Sequence, residues 1–502
     1  MAIPFAFQGQ TTLTPRVKLY TFYQKFAIFK HMKRQKLTKI VATISDNRCD
    51  EAFIRSLYEA GMDVVRINTA HQTPEASVKI VETVRKVSPR LGILVDTKGP
   101  EVRTRNVPEP IAVAQGDTIT IPKVDDQRKG FDVSYSNFVA EVPVGSKILI
   151  EDGTIALEVK NKANGVLLCE VLNSGVIKER KNVNVPNVSL NVPSLSEKDV
   201  AYLKFAADYD IDFIAHSFVR NKNDVQEVRR LLDSFGSKAK IIAKIENNQG
   251  VTNLLEILDF ADGIMIARGD LGVEIPSERI PGVQKAIINA CIDKGKPVIT
   301  ATQMLHTMID NPRPTRAEVS DVANAVFDGT DAVMLSGETA FGKYPLEAVE
   351  TMTRIAIQAE SQKPYMEKET QATYNHVRLY LARVAAMSAR RLPVKAIIAD
   401  TETGSIARVI ASYRSHVPVY AFSPNERTVR QLSLSYGVYS DLLPHQESTE
   451  GLVRSSVEVL LEKDFLEEDD LVVVIGGAPG MSNTTNFIEM NTAGACLKNN
   501  FT

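Results

Sequence analysis

The sequence predicts an α/β protein: a (β/α)8 TIM barrel with an inserted small β-barrel lid domain, followed by a C-terminal α/β domain with a mostly parallel sheet. Three observations carry this. Eight short β-branched runs alternate with helix-length amphipathic segments between Thr38 and Gly337. Residues 98–211 separate the third run from the fourth, far more than a βα loop needs. From about Gln358 a second series of buried runs begins. The expected division is an N-terminal extension over 1–36, the barrel over 37–100 and 187–357, the lid over 101–186, and a regulatory tail domain over 358–502.

At 502 residues the chain exceeds one ordinary core. A content of 44% hydrophobic and 24% charged residues is that of a soluble globular protein. A net charge of −2 gives no general attraction for nucleic acid. Cys49, Cys169, Cys291 and Cys496 are scattered without a CxxC pair, so reduced thiols in a cytoplasmic protein are expected. No apolar run is long enough to span a bilayer, so no membrane partner is expected.

Residues 1–36 are aromatic and basic with no acidic residue, and Gln, Thr, Lys and Arg interrupt every apolar stretch. A signal peptide would need a continuous apolar core, so none is expected. A dispensable, disordered extension is expected, with Met32 as the natural start, ahead of a transit-like or interfacial role.

The eight runs are TKIVAT (38–43), DVVRIN (63–68), GILVDT (92–97), DFIAHS (212–217), KIIAKI (240–245), GIMIAR (263–268), PVITAT (297–302) and AVMLSG (332–337). Several are continuously apolar, as strands buried on both faces must be. The segment Val283–Asp293 places Val283, Ile287, Ala290 and Cys291 at helical spacing, with Gly295 as a stop signal. Pro345 opens another helix, with Leu346, Val349, Met352 and Ile355 on one face. An open doubly wound sheet would use the same units, but the count of eight favours closure.

Polar residues gather at the carboxyl ends of these runs: Arg66, Asn68, Asp96 to Lys98, Ser217, Lys244, Glu246, Arg268, Asp270, Thr302, Ser336 and Glu338. In a parallel barrel those ends share one face and build the active site. The stretch Ile241–Asp270 is the densest: strand, helix, strand, with Lys244 and Glu246 after the first strand and Asp270 after the second. Two carboxylates are hard ligands for Mg²⁺ or Mn²⁺, and a lysine beside them suits chemistry on a phosphate or an enolate. Ordinary ion pairs at loop ends would use the same residue types. Capping alone does not explain a polar group on most of the eight ends.

Residues 101–186 show alternating runs (TITIPKV, SKILIEDGTIALEVK, GVLLCEV) between Gly, Asp and Asn turns, which read as antiparallel hairpins. Placed directly after DTKGPEVRT, this domain is expected to close as a lid and exclude water. In the tail, KAIIAD (395–400), VPVYAF (417–422) and LVVVIG (471–476) are buried strands. The loop TETGS (401–405) before IARVIASYR is either a phosphate site at a helix N-terminus or a simple N-cap.

These segments resemble the pyruvate kinase family. The matching motifs are VVRINTAH (64–71), DTKGPEVRT (96–104), KIENNQG (244–250), DGIMIARGDLGVEIP (262–276), ATQML (301–305), NPRPTRAEVSDVANAVFDGTDA (311–332) and MLSGETAFGKYP (334–345). They cover the chain beyond residues 1–36 and weaken in the tail. The resemblance implies a glycolytic phosphotransferase that makes pyruvate and ATP from phosphoenolpyruvate and ADP, with Mg²⁺ or Mn²⁺ and K⁺, as an allosteric homotetramer. It assigns Glu246 and Asp270 to the divalent ion, Lys244 to the transferring phosphoryl and enolate, and Arg66 to the phosphate. It assigns the amides of Gly269 and Asp270 to the substrate carboxylate, and Thr302, Ser336 and Glu338 to delivery of the proton. Asn68, His71, Arg103 and Lys181 fall on the nucleotide side.

Two departures stand out. The family's K⁺ ligands match Asn68, Asp96 and Thr97, but Ala70 replaces a serine, while Glu101 matches the glutamate of K⁺-dependent members. K⁺ activation with reduced affinity is expected. In the tail, Glu402 and Ile406 in and after TETGS argue against a fructose-1,6-bisphosphate site and for another phosphorylated effector or none. A metal-dependent lyase or aldolase acting on pyruvate enolate would share the carboxylates but would need neither the lid nor Arg103. An inactive scaffold would have no reason to keep Lys244, Glu246, Asp270, Thr302 and Arg66 together.

Overall fold

The computed structural model describes residues 36–124, 129–362, 377–477 and 485–498; the expectations for 1–35, including Met32, lie outside them. Eight parallel strands close into a barrel in sequential order: β1 (Lys39–Thr43), β2 (Val64–Asn68), β3 (Gly92–Asp96), β4 (Phe213–His216), β5 (Lys240–Ile245), β6 (Gly263–Ala267), β7 (Val298–Ala301) and β8 (Ala332–Leu335). β1 pairs with both β2 and β8, which closes the ring. Alternate residues fill two cores. Val41, Val64, Leu94, Phe213, Met265 and Ile299 pack inside the barrel, while Ile40, Val65, Ile93, Ile214 and Ile264 meet the surrounding helices. That double burial is why the strands read as unbroken apolar runs.

The feet of the strands carry a four-fold device. An aspartate immediately precedes each even strand and accepts a backbone N–H from the preceding odd strand. Asp63 takes Ile40 N at 2.8 Å, Asp212 takes Ile93 N at 2.9 Å, Asp262 takes Ile241 N at 2.9 Å, and Asp331 takes Val298 N at 3.1 Å. These carboxylates satisfy amides at the barrel floor that no neighbouring strand reaches.

The lid is antiparallel around its own core, which includes Ile119, Phe131, Phe138, Ile148 and Val159. Its main sheet has five strands: Val183–Asn184, Lys147–Ile150, Ile155–Ala163, Val166–Val171 and Thr118–Ile121 in spatial order. The ladder of Thr104–Arg105 with Asp132–Val133 meets both edges of that sheet through single bridges, Thr120 with Gly130 and Arg103 with Asn182, so the shell closes on itself.

The helix Pro345–Gln362 packs on the barrel, where Glu360 accepts the backbone N–H groups of Leu37 and Thr38 at 2.8 and 2.6 Å. The tail sheet orders β11 (Val438–Leu442), β10 (Val419–Ser423), β9 (Val394–Asp400), β12 (Leu471–Gly476) and β13 (Phe487–Thr492); all pairs are parallel except β13 on β12. It sits under the barrel floor. Arg414 binds Asp331 at 2.6 Å, Arg430 binds Asp212 at 2.7 Å, and Lys39 Nζ donates to Val438 O at 2.6 Å. Among the described residues no helix is long and apolar enough to cross a membrane.

Candidate active site

The strand ends opposite the tail bring the expected side chains together. Lys244, at the end of β5, is the hub. Its ammonium lies 3.0 Å from Asp96 and 2.9 Å from Glu246, and donates to Ser217 Oγ at 2.7 Å. Arg66, from β2, donates through Nε to the other Asp96 oxygen at 2.7 Å and through Nη1 to Thr43 Oγ1 at 2.9 Å. All four charged groups of this chain are buried. Burial alone would push Asp96 up, but Lys244 and Arg66 outweigh it and hold that carboxyl below its usual range. Burial likewise opposes the charge on Lys244, yet Asp96 and Glu246 raise its pKa well above that of an ordinary lysine. The lysine is therefore a permanent cation inside the barrel mouth.

Glu246 behaves differently. Burial raises it most, Lys244 pulls it down, and the charge of Asp270 raises it again. Asp270 is raised too, by burial first and by Asp152, Asp96 and Glu101 against the pull of Lys244. Two desolvated carboxylates that disfavour each other's charge are a fit for a divalent cation, which would restore both ionised forms. One Glu246 oxygen accepts Phe218 N at 2.6 Å and the other faces Lys244, so the ammonium already stands beside a prospective ligand oxygen. Among the described residues no three His, Cys, Asp or Glu side chains form a ready cage. An ion held by two carboxylates completes its shell from water and substrate, as Mg²⁺ commonly does.

Gly269 and Asp270 open the helix Arg268–Glu274. The Gly269 amide donates to Thr302 Oγ1 at 2.8 Å, and that hydroxyl donates to Ala301 O at 2.7 Å. Thr302 and Gln303 both adopt positive φ, +68° and +54°, so the chain after β7 turns sharply to bring the hydroxyl there. Arg268 locks this corner, with both terminal nitrogens on Asp321 at 2.7 Å and Nη2 on Thr302 O at 2.8 Å. After β8, Glu338 is buried and accepts Ser336 N at 2.8 Å and Leu305 N at 3.2 Å, so it braces the loop beside Thr302.

The expected K⁺ ligands fit less well. Asn68 Oδ1 accepts Ala70 N at 3.1 Å, both Asp96 oxygens hold cations, and the Thr97 carbonyl accepts Ser217 Oγ at 2.7 Å. Ala70 adds no oxygen, and Glu101 is bound to Arg103 at 2.6 Å and to Lys98 at 3.3 Å. Of the residues expected on the nucleotide side, His71 is exposed and Lys181 binds Glu151 on the lid at 2.5 Å.

Several partners escaped the sequence reading. Thr43, Asp321 and the amide of Phe218 hold Arg66, Arg268 and Glu246. Thr43 ends the first apolar run, so its place was legible; Asp321 sits mid-helix and gave no signal. In the tail, Arg378 donates to Ser405 Oγ and Arg408 to Thr403 O, both at 2.9 Å, which sets two guanidinium groups on the 401–405 loop.

Comparison with known proteins bears on this geometry. The family model described as pyruvate kinase, barrel domain, matches residues 35–349, and that described as pyruvate kinase, alpha/beta domain, matches residues 380–490. The chain is 47% identical over 470 residues to a pyruvate kinase of Borreliella burgdorferi, covering 92% of this chain and 98% of that protein. It is 44% identical over 471 residues to one of Staphylococcus saprophyticus, covering 91% and 80%. A solved pyruvate kinase from Cryptosporidium parvum superposes with a TM-score of 0.85 at 37% identity, covering 91% of this chain and 96% of that one.

Proposed function

The chain belongs to the pyruvate kinase family, and from that premise we propose that Lys244, Glu246, Asp270, Arg66 and Thr302 are the residues with which it transfers the phosphoryl group of phosphoenolpyruvate to ADP, giving pyruvate and ATP. The observation that carries the assignment is the buried chain from Arg66 through Asp96 and Lys244 to Glu246, beside Asp270 at the barrel mouth. A fixed cation among carboxylates in a dry site favours charge developing on a transferring phosphoryl and on the departing enolate.

Glu246 and Asp270 would hold Mg²⁺ or Mn²⁺, which supplies charge neutralisation at the substrate oxygens when bound. Lys244 stays protonated throughout the working pH range and neutralises the phosphoryl and the enolate. Arg66 keeps Nε on Asp96 and Nη1 on Thr43, which aims the planar guanidinium and leaves Nη2 for a phosphate oxygen. The substrate carboxylate would take the amides of Gly269 and Asp270, displacing the Thr302 hydroxyl from the first. That hydroxyl, or a water it holds, then stands ready to pass a proton to the enolate carbon, with Ser336 and Glu338 lining the route. Asn68, His71, Arg103 and Lys181 would receive the nucleotide under the lid.

K⁺ bound by Asn68, Asp96 and Thr97 belongs to the same reading, with weakened affinity because Ala70 offers no ligand. The domains divide as barrel, lid over 101–186 and tail, with the Pro345–Gln362 helix kept on the barrel side by Glu360. A cytoplasmic homotetramer completes the reading. At the 401–405 loop, Arg378 and Arg408 offer positive charge to a phosphorylated effector, while Glu402 and Ile406 speak against fructose 1,6-bisphosphate and leave another effector or none.

The test is pyruvate formation from phosphoenolpyruvate and ADP with Mg²⁺, with and without K⁺. Turnover that needs both ions is expected. Turnover indifferent to K⁺ would remove the monovalent site, and no pyruvate in either arm would overturn the site assignment.

A further inference from the structure

The lid returns to the barrel through a strap tied by side-chain amides. Asn248 Nδ2 donates to Asn187 Oδ1 at 3.1 Å, and Gln249 Nε2 donates to Ser189 Oγ at 2.9 Å. A third contact reaches further in. Asn184, on the lid itself, donates through Nδ2 to Glu274 Oε1 at 3.1 Å. These contacts border a cleft of about 410 Å³ whose wall includes Asp270, Glu274 and Asn184.

The two residues of the third contact sit on elements that carry the chemistry. Asn184 lies in the strand Val183–Asn184, paired with Lys147–Ile150. Lys181 precedes that strand, and Glu151 and Asp152 follow its partner, so all three share one rim of the lid. Asn182 and Asn184 line the same cleft as Asp270, which sets this rim facing the barrel mouth. Glu274 ends the Arg268–Glu274 helix, four residues after Asp270 and therefore on the same helical face. One hydrogen bond thus joins the lid strand beside Lys181 to the helix that presents Asp270. Both partners are half-buried.

We infer that Asn184 and Glu274 are positioning residues for phosphoryl transfer: their contact sets the angle at which the lid stands over Asp270 and so places Lys181 for the nucleotide. This rests on the site assignment proposed above. An amide-to-carboxylate bond is strong enough to bias the closed arrangement and weak enough to break in each opening. The two strap contacts hold the hinge, while this one fixes the swing.

A swap of donor and acceptor tests it, in the full-length protein with KM for each substrate and Tm measured together. Asn184→Asp sets two carboxylates face to face and should raise KM for ADP about tenfold, leaving KM for phosphoenolpyruvate within about twofold. Asn184→Ala, which removes the bond without adding charge, should move KM for ADP in the same direction. The double variant Asn184→Asp with Glu274→Gln rebuilds the bond with its ends exchanged and should recover KM for ADP to within about twofold of the unaltered protein. Wild-type KM for ADP in Asn184→Ala, or a double variant no better than Asn184→Asp, overturns the inference. If Asn184→Asp does not fold, Asn184→Ala and the double variant decide. Absence of turnover in the unaltered protein would instead overturn the site assignment.

Discussion

His216 ends β4 one residue before Ser217, the hydroxyl that receives Lys244, and neither of its ring nitrogens finds a hydrogen-bond partner among the described residues. Burial depresses its pKa to about 4 from 6.5, against the attraction of Asp224, Asp199 and Glu227 and with a small push from Lys244. The folded protein therefore refuses a proton that the unfolded chain accepts below about pH 6.5. The stability contributed by the neutral ring is fully present above pH 6.5 and is lost as pH falls towards 4. The loss is at most about 1.4 kcal/mol per pH unit for one proton. A His216→Leu variant should show a flatter dependence of the urea midpoint on pH across that window. Parallel curves for variant and parent would mean that other groups set the acid limit. The sequence showed His216 only as a polar letter at a strand end. Its lack of a partner depends on which face of β4 turns outward, and that follows only from barrel closure.

At the level of elements, the strands and their order were legible because burial on both faces leaves an unbroken apolar signature in each run. The charged residues at their carboxyl ends were legible because a barrel exposes those ends together. The aspartates at the feet were equally visible as the letter before DVVRIN's valines, before FIAH, before GIMIA and before AVML, but their shared task appears only when odd and even strands are paired. Asp212 is one of the feet that also reach the tail. It is fully buried and accepts Arg85 at 3.0 Å, Ile93 N at 2.9 Å and Arg430 of the tail at 2.7 Å. Removing it leaves the Ile93 amide without its acceptor and takes a carboxylate from both Arg85 and Arg430. Asp212→Ala should therefore cost about 3–5 kcal/mol. Asp262→Ala, at a foot whose side chain is 28% exposed, should cost much less because water can take over its partners. Denaturant melts of the two variants check the ranking; equal losses would show that the tail contact through Arg430 adds nothing.

Across the whole molecule, a barrel carries a lid shell beside its mouth and a tail sheet under its floor. Two of the carboxylates at that mouth are held above their usual range. Asp96 is satisfied by Lys244 and Arg66, but Glu246 and Asp270 share one lysine between them and are both raised. A divalent cation would offset that deficit, but two carboxylates leave most of its octahedral shell to water. On the proposed site assignment, phosphoenolpyruvate would bring the missing oxygens together with negative charge that Lys244 and Arg66 can neutralise. Ion and substrate should therefore bind better together than singly, each raising the other's affinity by the same factor. Ligands that bind only the folded state stabilise it by RT ln(1 + [L]/Kd), about 2.7 kcal/mol at a hundredfold excess over Kd. The thermal midpoint should accordingly rise more with Mg²⁺ and phosphoenolpyruvate together than the sum of the rises with each alone. Chelation should return it to the value seen with phosphoenolpyruvate alone. A strictly additive pair of shifts would mean that ion and substrate occupy separate places, and Glu246 and Asp270 would then not be the residues that join them.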